Sequence, residues 1–196
     1  HGNADAEGAR IDILGNLNSP ETTLSGERDK DVIYLAPQSL VGNTTLLGDN
    51  DGQRGGDDIL IVDQLPTITS TQGGLRDSVT LDGRGGNDEY TVFTSGDPAN
   101  DYIINVRDSG ARNDGADKLF IEGTAADDVF LSRKGFVALL HQDPAAGADD
   151  TAFTRAVERI NYDDRVNGRV RVDGLAGDDQ FYSDDNSALM TLDGGS

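Results

Sequence analysis

The chain has 196 residues, and its 36 Asp and Glu against 16 Lys and Arg give a formal net charge of −20. That excess repels nucleic acids and anionic lipids and attracts cations. The chain contains no Cys, which excludes disulfides and thiolate metal sites. With 35% hydrophobic residues in short periodic runs, the chain is too apolar to be clearly disordered, and no run is long enough for a membrane helix.

One pattern recurs along the chain: an apolar residue, a glycine two residues later, an Asp five residues after the glycine, and a large apolar residue two after the Asp. Complete copies occupy 24–35, 81–92, 121–132 and 172–183, with their Asp at Asp31, Asp88, Asp128 and Asp179. Two looser copies, at 46–62 and 106–121, keep only the second half, with Asp58 and Asp117. A further copy begins at 192–196, so we expect the chain to be one repeat segment, 1–196, cut from a longer protein.

Each copy predicts a strand, a turn and a second strand. Apolar and polar residues alternate after the Asp, and the Thr, Val, Ile, Tyr and Phe there are typical of strands. The glycines between the strands predict turns with positive φ angles. Only 151–160 could form a short helix, and "VERINY" at 157–162 could equally form a strand.

The spacing of the Asp residues predicts a solenoid. Steps of 27 to 30 residues separate Asp31, Asp58, Asp88 and Asp117, and the 51 residues from Asp128 to Asp179 suggest two such steps. The 11 residues from Asp117 to Asp128 are about half a step. Loops of variable length, such as 142–150, explain the uneven steps. Stacked coils would build one continuous core from the apolar residues two positions after the Asp: Ile33, Leu60, Tyr90, Leu119, Phe130 and Phe181. The expected fold is therefore all-β, a parallel β-roll or β-helix-like solenoid.

Stacked coils would also stack their acidic turns into a column of carboxylates. Like charges so close are costly, and Lys and Arg are too few to neutralise them. Ca²⁺ fits, because it takes six to eight carboxylate and carbonyl oxygens in flexible geometry, whereas Zn²⁺ would need His or Cys and Mg²⁺ prefers a tighter octahedron. The candidate Ca²⁺ ligands are Asp57, Asp58, Asp82, Asn87, Asp88, Asp114, Asp117, Asp127, Asp128, Asp173, Asp178 and Asp179, with the backbone at Gly83, Gly85 and Gly174.

Two of the copies, "LDGRGGNDEYTV" and "VDGLAGDDQFYS", resemble the RTX, or haemolysin-type, calcium-binding repeat of secreted bacterial proteins. The resemblance rests on Gly83, Gly85, Gly86 and Asp88, and on Gly174, Gly177 and Asp179. It implies a parallel β-roll in which neighbouring turns share Ca²⁺. The copies depart from that family because they are not in tandem. The copy at 121–132 has Ala where glycines are expected, and the copy at 24–35 has charged residues there.

Other interpretations stay open. Asp and Gly form turns without metal. The stretch 48–58 loosely resembles an EF-hand loop, although it lacks the final Glu and flanking helices. Paired carboxylates occur in glycosidases, but no pair here stands apart from the repeat, so we expect no enzymatic activity. His141 reads as a surface residue at the end of a strand.

The expected function is a structural one. The chain is predicted to be a calcium-binding segment of an extracellular bacterial surface, matrix or filament protein that folds on Ca²⁺ outside the cell. Its partners would be neighbouring repeats or like subunits, without nucleic acid or membrane insertion. The alternative is a glycan-binding accessory module of an adhesin or polysaccharide enzyme, which should expose aromatic residues on one face. Within the repeat, we expect Asp88 and Asp179 to bind Ca²⁺ better than Asp31, because Arg28 and Lys30 place positive charge beside Asp31.

Overall fold

A computed structural model describes residues 8–50, 55–70, 77–143, 152–185 and 188–196. Within these ranges the chain is all-β, as predicted, with sixteen strands and no helix. The strands are β1 (Arg10–Ile13), β2 (Leu17–Ser25), β3 (Val32–Leu35), β4 (Leu40–Leu47), β5 (Ile59–Asp63), β6 (Ile68–Thr69), β7 (Val79–Asp82), β8 (Glu89–Phe93), β9 (Tyr102–Arg107), β10 (Lys118–Glu122), β11 (Val129–Arg133), β12 (Phe136–Gln142), β13 (Phe153–Tyr162), β14 (Arg169–Asp173), β15 (Gln180–Ser183) and β16 (Met190–Asp193).

The strands form two sheets, and neither closes on itself. The first sheet has the order β1-β3-β5-β8-β10-β14-β16, and every pairing in it is parallel. The second has the order β15-β11-β12-β13-β9-β7-β4-β2, with β6 beside β4. It is parallel except at β12, which runs antiparallel to both β11 and β13. The chain passes from one sheet to the other at nearly every turn.

The apolar residues two positions after the Asp lie in register, but in two rows. Ile33, Leu60, Tyr90 and Leu119 are aligned across the first sheet and fully buried. Phe130 and Phe181 are aligned in the second sheet, with their rings stacked at a centroid distance of 5.6 Å. Side chains from both sheets belong to one buried cluster. The predicted alignment and the predicted continuous core are therefore confirmed, although the core is built from one row in each sheet.

The two irregular steps of the repeat have a simple origin. Asp117 directly precedes β10 of the first sheet, and Asp128 directly precedes β11 of the second sheet. The two residues therefore lie in turns at different corners of the sheets. The 51 residues from Asp128 to Asp179 are one step rather than two, because β11 pairs directly with β15. The additional residues include β12 and β13, and β12 runs antiparallel to both β11 and β13. The helix considered for 151–160 is wrong and the alternative strand is confirmed, since β13 covers all but the first two of these residues. The variable loop predicted at 142–150 lies largely outside the described residues.

Candidate functional site

Four of the repeat Asp residues form one hydrogen-bonded column, here called the aspartate column: Asp31, Asp58, Asp88 and Asp117. Oδ1 of Asp58 accepts from the backbone N–H of Asp31 at 2.7 Å. Oδ1 of Asp88 accepts from the N–H of Asp58, and Oδ1 of Asp117 from the N–H of Asp88, both at 2.9 Å. Each carboxylate therefore ties its turn to the preceding turn at the corner where the chain enters the first sheet.

The column ends on an amide instead of a carboxylate. Oδ1 of Asn167 accepts from the N–H of Asp117 at 3.3 Å, and its Nδ2 donates to the carbonyl of Gly115 at 3.2 Å. Asn167 thus satisfies both of its side-chain polar atoms without any ion, because an amide supplies a donor where a carboxylate has only acceptors.

A second, shorter column lies at the opposite corner. Oδ1 of Asp179 accepts from the N–H of Asp128 at 2.9 Å, across the 51-residue step. The complete repeats are thus divided between two corners: those ending at Asp31 and Asp88 enter the first sheet, and those ending at Asp128 and Asp179 enter the second.

The glycine five residues before the Asp makes room for the carboxylate. A Cβ atom built on Gly26, Gly83 or Gly174 would lie 2.1 Å from Oδ2 of its own Asp, and one on Gly123 would lie 2.6 Å away. None of these four glycines has a positive φ angle, and the predicted positive φ at turn glycines is confirmed elsewhere in the same turns. The positive φ falls instead on the next residue in two copies, Arg84 and Leu175, and again at Gly86 and Gly177.

The Asp residues of the two columns differ in whether their second carboxylate oxygen, Oδ2, accepts a hydrogen bond. Oδ2 of Asp58, Asp88, Asp117 and Asp179 is buried and has no hydrogen-bond partner in the described part of the chain. Oδ2 of Asp31, in contrast, accepts from the N–H of Glu27, and Oδ2 of Asp128 accepts from the N–H of Thr124, each at 2.6 Å. Unpartnered buried acceptors are costly, so four turns call for a proton or a cation.

Further carboxylates crowd the aspartate column. Asp49, Asp82 and Asp108 are buried at the same corner, where Asp49 accepts from the N–H of Gly85 and Asp82 from the N–H of Ser109. The described cation nearest to Asp82 is Arg107, whose Nε lies 3.9 Å from Oδ2. Asp49 and Asp108 are absent from the predicted ligand set. In the sequence, each of them is an Asp that comes one or two residues after a strand of the second sheet. An alignment of the repeats on their last Asp does not include that position.

The crowding of carboxylates raises the pKa values of several Asp residues in and beside the aspartate column. Burial, together with the negative charges of Asp58, Asp117 and Asp108, raises the pKa of Asp88 to about 8 against the opposing effect of one backbone hydrogen bond. Burial likewise raises the pKa of Asp58 to about 7 and that of Asp108 to about 6. The pKa of Asp117 is raised for the same first reason. At neutral pH, therefore, burial and the neighbouring negative charges strongly favour the neutral forms of these carboxylates.

Backbone carbonyls face the same space as the carboxylates. A Cβ on Gly48 would lie 2.2 Å from Oδ2 of Asp58 and 2.5 Å from the carbonyl oxygen of Gly83. One on Gly110 would lie 2.4 Å from Oδ2 of Asp114 and 1.6 Å from the carbonyl oxygen of Arg84. Two kinds of oxygen acceptor therefore converge between successive turns.

Of the remaining predicted ligands, four accept hydrogen bonds from protein donors: Asp57, Asn87, Asp127 and Asp173. Asp57 accepts from the N–H and the side chain of Asn87, and these bonds lower its pKa. Asn87 in turn accepts from the N–H of Ala116, and Asp127 accepts from the N–H of Asp178. These residues form an outer row that ties turn to turn beside the buried columns. On β14, Arg171 donates to Asp173 at 2.6 Å.

The structure overturns the prediction for His141, which is only 6% exposed and lies with Nε2 3.4 Å from Oε1 of Glu158. Glu158, fully buried on β13, also accepts from the N–H and Oγ of Ser95, the N–H of Gly96 and the hydroxyl of Tyr102. Burial alone would raise the pKa of Glu158, but the nearby imidazole of His141 and the hydrogen bonds donated by Tyr102 and Ser95 outweigh it and lower the pKa. This saturated carboxylate anchors β13 to the turn after β8.

The EF-hand interpretation of 48–58 is wrong, because strands β4 and β5 flank the stretch, of which 51–54 lie outside the described residues. Among the described residues, no three His, Asp or Glu side chains are grouped closely enough to hold a metal by themselves. An ion at the aspartate column would therefore need backbone carbonyls for most of its ligands. The described part of the chain also contains no helix long and apolar enough to cross a membrane.

Comparison with known proteins returns no match, whether to a family model, a curated protein or a solved structure.

Proposed function

We propose that this chain is a calcium-binding structural repeat segment whose coils form a parallel, two-sheet solenoid. The observation that carries the proposal is the aspartate column, in which buried carboxylate oxygens without partners face backbone carbonyls of the adjacent turn. A cation satisfies such a set of acceptors and also offsets the charge of the carboxylates. Since every converging atom is an oxygen, the set suits a hard cation of flexible coordination.

The strand arrangement supports the solenoid. Successive strands alternate between the sheets, and equivalent residues 27 to 30 positions apart are aligned by parallel pairing and by the column itself. A coil of this kind buries its apolar face only against its neighbours, so stability accumulates from coil to coil.

The residues that would hold Ca²⁺ are Asp58, Asp88 and Asp117 at one corner and Asp179 at the other, with carbonyls such as that of Gly83. The ion would supply the positive charge that this corner lacks. Asp31 is a weaker candidate, as expected from the sequence, although the structure supplies a different reason: the N–H of Glu27 already occupies its Oδ2. Asp128 is satisfied in the same way by Thr124.

Because the carboxylates converge only when the coils stack, an ion held between them stabilises the folded chain and not the unfolded one. The proposal places the chain in an extracellular bacterial surface, matrix or filament protein, where Ca²⁺ is abundant, and makes neighbouring repeats or like subunits its partners. The resemblance of 81–92 and 172–183 to the RTX repeat supports the same assignment.

Thermal unfolding after exhaustive chelation tests the proposal. Ca²⁺ added back should raise the melting temperature well above the value in Na⁺ of equal ionic strength, and Mg²⁺ should raise it less. A melting temperature that does not respond to chelation or to Ca²⁺ would overturn the proposal.

A further inference from the structure

An open cleft of about 580 Å³ lies at the β15 edge of the second sheet, away from both columns. Strands β11, β12, β13 and β15 line it. Leu131 and Tyr182 are aligned neighbours on the face of the sheet opposite to Phe130 and Phe181. The cleft is within the range of about 300 to 1,000 Å³ that small-ligand sites occupy.

Two aromatic rings are exposed at this cleft, whereas the other Tyr and Phe side chains of the chain are buried or half-buried. Tyr182 is 52% exposed and Phe153 39%, whereas Tyr90, Tyr102 and Phe130 are at most 2% exposed. The Tyr182 hydroxyl donates to Oε1 of Gln180 at 3.0 Å. Because Gln180 is two residues earlier on the same strand face, this bond holds the ring along the strand and leaves its surface available for stacking.

The rim of the cleft is polar and balanced in charge. Nη2 of Arg133 lies 3.3 Å from Oδ2 of Asp184, both side chains are exposed, and Ser183 adds a hydroxyl. A paired guanidinium and carboxylate offer donors and acceptors side by side without a net charge. Such a rim matches a ligand with many hydroxyl groups and no charge.

We infer that this cleft binds a neutral oligosaccharide. The C–H face of a pyranose ring stacks on Tyr182 and Phe153, while its hydroxyls exchange hydrogen bonds with Arg133 and Asp184. An anionic polysaccharide is disfavoured, because Arg133 is already balanced by Asp184 and the whole chain carries −20 charges. This binding activity is separate from the calcium-dependent folding proposed above, since no residue of either column lines the cleft.

Isothermal titration with cellohexaose, chitohexaose and mannohexaose, each up to its solubility limit, tests the inference, with polygalacturonate as the anionic comparison. Tyr182→Ala should weaken binding of the preferred neutral sugar by about tenfold, the loss expected for one aromatic contact. Tyr182→Phe should retain most of the affinity, because it keeps the ring. Leu189→Ala is the matched control, since Leu189 is 62% exposed and lies outside the cleft.

Circular dichroism and the melting temperature of each variant show that it is folded before it is titrated. The inference is overturned if none of the three neutral sugars binds, if Tyr182→Ala leaves their affinity unchanged, or if polygalacturonate alone binds. Sedimentation of the wild type and Tyr182→Ala provides one more check. A wild-type dimer that Tyr182→Ala converts to monomer, without sugar binding, would assign the cleft to a second copy of the chain and contradict the inference.

Discussion

The backbone N–H of Asp58 donates to Oδ1 of Asp88 at 2.9 Å, although the two residues are 30 positions apart in sequence. This bond joins two successive turns and uses only half of the Asp88 carboxylate. The other half, Oδ2, is buried without a described partner. The Asp88 side chain thus joins two turns through Oδ1 and presents an unpaired, buried Oδ2 that a cation could bind.

Asp88→Asn should therefore stabilise the chelated chain and reduce its response to Ca²⁺. The amide keeps the Oδ1 acceptor, removes the buried charge and supplies a donor, as Asn167 does at the end of the same column. The gain without Ca²⁺ should be about 1 to 3 kcal/mol, the cost of a buried unsatisfied group. Thermal or urea unfolding with and without Ca²⁺ measures both effects.

Asp31→Asn is the matched control, because Oδ2 of Asp31 already accepts from Glu27. This variant should lose that hydrogen bond, gain nothing in chelator and keep the response to Ca²⁺. If Asp31→Asn removes the Ca²⁺ response while Asp88→Asn preserves it, the division between partnered and unpartnered carboxylates does not select the ion sites.

Acid should stabilise the chelated chain. The folded-state pKa of Asp58 is about 7 and that of Asp88 about 8, against an ordinary Asp value of 3.8. Since the folded state binds these protons more tightly, their stabilisation is complete below pH about 4 and is lost as the pH rises through about 8. The melting temperature in chelator should fall across this window.

Ca²⁺ should reverse that trend, because it replaces protons that the carboxylates release. The Ca²⁺-induced rise in melting temperature should thus grow between about pH 5 and 8. A double variant, Asp58→Asn with Asp88→Asn, should flatten both pH profiles. A chelated wild type whose stability increases over the same range would contradict the ionisation described for the column.

Gly83→Ala should destabilise the chain by about 1 to 3 kcal/mol, the usual cost of overpacking a tight site. Its Cβ would lie 2.1 Å from Oδ2 and 2.3 Å from Cγ of Asp88, displacing the carboxylate. Gly15→Ala is the comparison, since a Cβ there meets nothing within 4 Å. Urea unfolding measures the loss of stability in each variant. Equal losses would show that glycine is required at position 83 by the backbone conformation and not by the space that the Asp88 carboxylate needs.

Tyr90→Ala should cost about 3 to 5 kcal/mol, whereas Phe181→Ala should cost clearly less. Tyr90 is fully buried, and its hydroxyl accepts from the N–H of Gly83 and donates to the carbonyl of Arg107. Phe181 stacks on Phe130 but belongs to the edge strand β15 and is only half-buried. Urea unfolding of both variants gives the two losses, and a Phe181→Ala loss as large as that of Tyr90→Ala would contradict this placement.

Much of this architecture is readable from the sequence, because alternation and the fixed distance from Asp to the next apolar residue are local signals. They predict the strands after Asp58 and Asp88, and the alignment of Leu60 with Tyr90. The stacking of acidic turns also follows, since equal steps bring equal residues together. The role of the glycine before each Asp does not follow, because it depends on where a side chain five residues later is seated.

Features that depend on long-range contacts were beyond the sequence pattern. The 51-residue step contains an antiparallel excursion whose strands look like any other strands, so its length suggests two coils. His141 has no local sign of burial, because its partner Glu158 lies on the next strand and is fixed by Ser95 and Tyr102 from elsewhere in the chain. Tyr182 lies on the face opposite to Phe181 by simple strand alternation, but its exposure also depends on the position of β15 at the edge of the sheet.

Equilibrium dialysis with radioactive Ca²⁺, on the wild type and on the variant carrying both Asp58→Asn and Asp88→Asn, tests the central claim most directly. The wild type should bind Ca²⁺ at defined stoichiometry and release protons as it binds. The double variant should remain folded, as Asn167 leads us to expect, and bind fewer ions. Wild-type protein that is folded and binds no Ca²⁺, or a double variant that binds as many ions as the wild type, would contradict the assignment of the aspartate column as a calcium site.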